Sequence, residues 1–147
     1  MPAIVWMILI FLGSTDVLSA AQTSRFIVPF LRWLDPQISW AAIDEIHTLI
    51  RKLGHVTEYA ILAVFLWRAL RSGKNLGTRL SILFFSTWMG CALFAASDEF
   101  HQSFVPARTA SARDVMIDIC GALVGLIICL AFAKSGNKKL AVASVKP

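Results

Sequence analysis

The stretch VMIDICGALVGLIICLAFA, residues 115–133, holds a single ionisable acid in nineteen otherwise uncharged residues. As a helix it is long enough, at about 1.5 Å per residue, to cross nearly the whole hydrocarbon core of a bilayer. Three further segments are comparably apolar, so candidate spans fall at about 3–20, 52–70, 80–100 and 114–133. A soluble domain of 147 residues has too little interior to hide a chain that is 57% apolar, with mean hydropathy +0.69. These features define an all-α membrane protein: a four-transmembrane-helix bundle forming one domain over residues 1–133, with residues 134–147 as a flexible tail.

The first span is the weakest, because its core AIVWMILIFLG stops at Ser14-Thr15-Asp16. Small residues in SAAQ would suit signal-peptide cleavage, but no Lys or Arg precedes the apolar run, so retention as a helix is expected. Between it and the second span lies the one long connection. TSRFIVPFLRWL and ISWAAIDEIHTLI mix polar and apolar residues at helical spacing, and Trp33 and Trp40 suit the headgroup level. Pro29 and Pro36 are expected to break any continuous helix, giving short interfacial helices.

Charge then orients the bundle. With four spans, both termini share a side with the 68–79 connection, and that side carries Arg68, Arg71, Lys74, Arg79, Lys134, Lys138, Lys139 and Lys146 without one acid. The other side holds all nine acids and six basic residues. Lys and Arg in short connections favour the cytoplasmic face, so both termini are expected there and the acids outside. The net charge of +5 is therefore an asymmetry across a membrane and no argument for nucleic acid, which is not expected as a partner. Cys91, Cys120 and Cys129 sit in apolar runs without a CxxC pair and read as small buried hydrophobes.

Ionisable groups concentrate beside the spans. In RKLGHVTEYAIL, His55, Glu58 and Tyr59 share a helix face. In SDEFHQSFVPARTASARD, Asp98, His101 and Gln102 share another, with Glu99 turned about 100° away. Asp114, Asp118, Gly121 and Gly125 form a stripe whose glycines would let a neighbouring helix approach. Charges inside a bilayer are costly and face a bundle interior or a wet cavity. Taken singly, these residues fit ordinary roles: loop charges, a helix N-terminal aspartate favoured by the dipole, a His–Glu pair joining helices. Taken together, they place His, Glu, Asp and Arg from three segments at one end of a small bundle.

Read as blocks, RKLGHVTEYAIL and SDEFHQSFVPARTASARDVMIDICGALVG resemble the VanZ family of small bacterial membrane proteins. The resemblance runs over about residues 4–133, the FLGSTD turn included. The matching positions are Lys52, His55, Glu58 and Tyr59, then Asp98, Glu99, His101, Gln102, Arg108, Asp114, Asp118 and Gly121. Ala107 departs from the family, which commonly has Gly between Pro and Arg. The family is named for an association with resistance to the glycopeptide teicoplanin, which implies a bacterial inner-membrane location and a link to the cell envelope.

Two functions follow. One is a binding protein whose outward-facing pocket engages a membrane lipid, a lipid-linked cell-wall precursor or a glycopeptide. Its ligand-binding candidates are Arg108, Lys52, His55, Glu58, Tyr59, Gln102, Asp114 and Asp118, with Arg108 and Lys52 suited to a phosphate or carboxylate. The other is a membrane-embedded enzyme in which Glu99 or Asp98 with His101 supplies acid–base chemistry on a lipid-linked anionic substrate. A divalent cation is an optional cofactor, although His-x-x-Glu and Asp-x-x-x-Asp are weak metal motifs and HExxH is absent. Transport is the least favoured role, since the acids cluster at one end without a path through.

Overall fold

A computed structural model describes residues 2–15, 20–72, 79–106 and 110–143. The described residues are all helical or in short turns, with no strand: α1 (Pro2–Gly13), α2 (Ala20–Leu34), α3 (Trp40–Ser72), α4 (Leu80–Gln102) and α5 (Ala112–Ala143). Three helices are long and apolar enough to cross a membrane: α3, α4 and the Ala112–Ala133 part of α5. α1 is equally apolar, but its 12 residues extend only about 18 Å, short of a full hydrocarbon thickness.

The contacts between helices set their directions. Arg51 meets Asp114 and His55 meets Asp118. Further along, Gly121 and Gly125 lie against the backbone of Val56 and Ala60. Both helices advance together, so α3 and α5 are parallel, as two helices separated by the returning α4 must be. α1 runs the opposite way to α3: the Trp6 ring is edge-on to Phe65, while Ser14 shares a cavity wall with His55. At both glycines an added Cβ would overlap the facing backbone. The predicted stripe is thus where α3 and α5 pack most closely, in the manner that small residues permit in membranes.

The core is made by Ile10, Tyr59, Leu62, Ala63, Trp67, Leu83, Cys91, Ala95, Ala122 and Leu126. Outside it, Phe85, Leu93, Ile127 and Phe132 are all more than half exposed, a surface that lipid chains solvate and water does not. Cys120 differs from the expectation of burial; it is exposed, because it lies on the far side of α5 from the glycine stripe.

Three boundaries differ from the sequence reading. Residues 40–51, expected as a separate short helix, are the first turns of α3. Ser39 starts that helix by accepting a hydrogen bond from the Ala42 N–H at 3.2 Å, and no proline interrupts it before Ser72. Hydropathy marks where a helix enters a membrane, not where it begins. Pro29, expected as a breaker, lies inside α2, which continues to Leu34. Proline removes one backbone donor and leaves the remaining bonds of a 15-residue helix in place. The break comes at Pro36, in a turn where Asp35 Oδ1 accepts from the Gln37 N–H at 2.9 Å. At the other end, α5 runs on to Ala143, into the stretch expected as a loose tail; it meets no proline there.

Candidate functional site

The acidic end of the bundle is tied together by three sets of polar contacts. The first joins α3 to α5. His55 Nδ1 donates to Asp118 Oδ1 at 3.0 Å, with Asp118 only 1% exposed, and one turn away Arg51 Nη2 lies 3.5 Å from Asp114 Oδ2. Spacing of four on both helices lets the pairs repeat in register. The second joins α1 to α4. Ser14 Oγ donates to Asp98 Oδ2 at 2.6 Å, and Gln102 Nε2 donates to the same oxygen at 3.0 Å. All three residues are buried, and the second Asp98 oxygen and Gln102 Oε1 have no partner among the described residues. The third closes the approach to α5: the backbone N–H of Ser111 donates to Glu99 Oε1, and Ser111 Oγ accepts from the Arg113 N–H at 3.2 Å. Glu99 therefore anchors the start of α5.

Between these contacts and α2 lies a cavity of about 220 Å³. Its polar wall is Ser14, Thr23, His47, Arg51, His55 and Glu58; Ile27, Ile50 and the glycines at 13 and 54 complete it. α2 closes one side of it, held by the 2.8 Å hydrogen bond between Thr23 Oγ1 and His47 Nε2. α1 is fixed by a 2.9 Å bond from Trp6 Nε1 to the Glu58 carbonyl.

The structure distributes the expected residues unevenly. His55 and Glu58 line the cavity; Asp118 and Asp114 stand directly behind it, as partners of His55 and Arg51. Asp98 and Gln102 belong to the buried α1–α4 contact, and Tyr59 is fully buried with its ring 6.2 Å from that of Phe94. His101 packs its ring on Phe11, centroids 4.0 Å apart, with Nδ1 buried and unbonded. Lys52 is exposed away from the cavity. Glu99, His101 and Asp98 thus each face a different neighbour, and none lines the cavity. Arg108 and Ala107 lie outside the described residues. Among the described residues, no group of three His, Cys, Asp or Glu side chains is placed to hold a metal ion.

Thr23, His47 and Arg51 were not singled out from the sequence. The signal was present: His47, Arg51, His55 and Glu58 follow one another at spacings of four, four and three, a single polar stripe on one helix. Dividing the chain near residue 51 cuts that stripe in two.

The sequence model of the VanZ/LLP1 family matches residues 1–133. The chain belongs to the VanZ/LLP1 family. No match was found among curated proteins or among solved structures. The family match covers α1 to the membrane-spanning end of α5, and hence every residue of the cavity and of the contacts behind it. In this VanZ/LLP1 protein the cavity offers a cation, a carboxylate, two imidazoles and two hydroxyls beside apolar side chains. Such a set can pair with an anion through Arg51 and with hydroxyl groups through Glu58 and the imidazoles.

Proposed function

We propose that the cavity binds the anionic headgroup of an envelope amphiphile, of the class of lipid-linked cell-wall precursors, in the outer leaflet. In this reading α1 completes the set of four spans, both termini are cytoplasmic, and α2 lies along the outer interface as a lid. The observation that carries it is Arg51. It contributes to the cavity wall yet meets Asp114 through one nitrogen at 3.5 Å, leaving donors of its five-donor guanidinium to face a phosphate. Thr23 sits opposite on the lid side, hydrogen-bonded to His47 one turn from Arg51 on α3, and Ile27 and Ile50 provide the apolar surface against which a lipid stem would lie. The volume suits a headgroup rather than a whole lipid. No specific observation favours a catalytic reading.

The test is binding of a polyprenyl pyrophosphate to the purified full chain in nanodiscs, followed by native mass spectrometry. Arg51→Gln should weaken binding about tenfold or more, the scale of a charge-assisted phosphate contact. Lys52→Gln, one residue along but off the cavity, should leave it unchanged. Equal binding by wild type and Arg51→Gln would sink the proposal.

A further inference from the structure

At the opposite end of the bundle, α3 and α5 leave a second groove, of about 440 Å³, that the pocket just described does not touch. Val64, Trp67, Ile128, Cys129, Phe132 and Ala133 make its floor and sides, and Arg68 and Arg71 stand at its mouth. The two arginines are three apart in the last turns of α3, so both point to the same side of the helix. Both are exposed, and among the described residues neither has an acidic partner. The helix dipole explains a cation at a helix C-terminus, but not two of them over an apolar trough. Phe132, three-quarters exposed on the facing helix, continues the trough toward the bilayer.

The depth of the groove supports the same conclusion. Along α5, Asp114 and Phe132 are separated by about 27 Å of helix rise, close to a hydrocarbon thickness. With the acids at one interface, Arg68 and Arg71 stand at the headgroup level of the other. Guanidinium groups there pair with phosphate bidentately, and basic pockets between spanning helices are where anionic lipid headgroups lodge.

We infer that the groove between the C-terminal turns of α3 and the Ile128–Ala133 segment of α5 is a binding site for one anionic phospholipid of the leaflet at the basic end. Its phosphate is held by Arg68 and Arg71, and an acyl chain runs over Phe132 and Ile128. This site is independent of the cavity at the acidic end and of its ligand.

The experiment is native mass spectrometry of the detergent-solubilised full chain, titrated separately with phosphatidylglycerol and phosphatidylcholine. Wild type should retain one phosphatidylglycerol with about tenfold preference over phosphatidylcholine, the order expected from two interfacial arginines. Arg68→Gln combined with Arg71→Gln should bring the two lipids to parity, and Arg68→Gln alone should fall between. Arg79→Gln, which removes a charge at the same end but outside the groove, should keep the full preference. The inference is overturned by a wild type without preference, or by an Arg79→Gln loss as large as that of the double variant. Displacement of the lipid by millimolar inorganic phosphate would also overturn it, since a soluble anion would then be the occupant. The wild-type comparison stands even if the double variant fails to fold.

Discussion

At the scale of single residues, the acidic end is a set of buried pairs in which each member is costly without the other. His55 and Asp118 are both nearly enclosed, and their hydrogen bond spans the α3–α5 interface. Removing one partner strands a buried polar group, whereas removing both does not. Asp118→Ala should therefore lower unfolding stability by about 3 kcal/mol, with part of that loss recovered in His55→Ala/Asp118→Ala. Chemical unfolding in detergent micelles measures all three. Losses that simply add would mean the pair contributes no coupling. Ser14 presents a milder case. Its hydroxyl is one of two donors to Asp98 Oδ2, so Gln102 remains when Ser14 is replaced. The same reasoning separates site residues that shape the bundle, such as Asp98, Glu99 and Gln102, from those that face the cavity, such as Arg51, His55 and Glu58.

At the scale of helices, packing between α3 and α5 depends on two glycines, and the third glycine nearby shows the contrast. A side chain at Gly125 would run into the Ala60 backbone, which cannot move aside as a flexible side chain would. A Cβ at Gly54 would meet nothing within 4 Å. Gly125→Val should therefore destabilise the bundle by about 2 kcal/mol or more through overpacking. Gly54→Ala should be neutral or stabilising by up to about 1 kcal/mol, because it removes a helical glycine without a clash. Thermal melts of the two variants side by side read the difference; a Gly125→Val protein as stable as wild type would show that the helices can part freely. α2 behaves differently from the spans. Thr23 and Ile27 face the cavity, while Phe26, Phe30 and Trp33 are largely exposed, and Arg32 stacks on the Trp40 ring at 4.3 Å. That arrangement suits a helix lying at an interface, with its aromatic edge among lipid headgroups.

At the scale of the whole molecule, chemistry is segregated along one axis. The described ion pairs lie at one end of the bundle and the Arg68–Arg71 groove at the other, with an apolar middle between. Under the orientation proposed here, an impermeant thiol reagent applied to intact cells should label Lys52→Cys and not Arg79→Cys, in a chain with Cys91, Cys120 and Cys129 replaced. A reporter fused at the N-terminus should share the side of residue 79. The reverse labelling would place the cavity on the cytoplasmic face and reassign its ligand to that leaflet. Much of this axis was legible in the chain itself. The helical class, the three long spans and the separation of the acids from a purely basic end follow from hydropathy and charge, which are sums over neighbouring residues. The glycine stripe of α5 was legible too, since a spacing of four fixes a face on any helix. What only the tertiary structure decided was which faces meet. Asp118 finds His55, Asp98 finds Ser14, Glu99 turns to the Ser111 backbone, and the α3 stripe becomes a cavity wall only when α2 folds over it. The first two of those outcomes depend on the register between helices 60 or more residues apart in the chain. Register is set by how closely two surfaces can pack, and no local property of either surface records it.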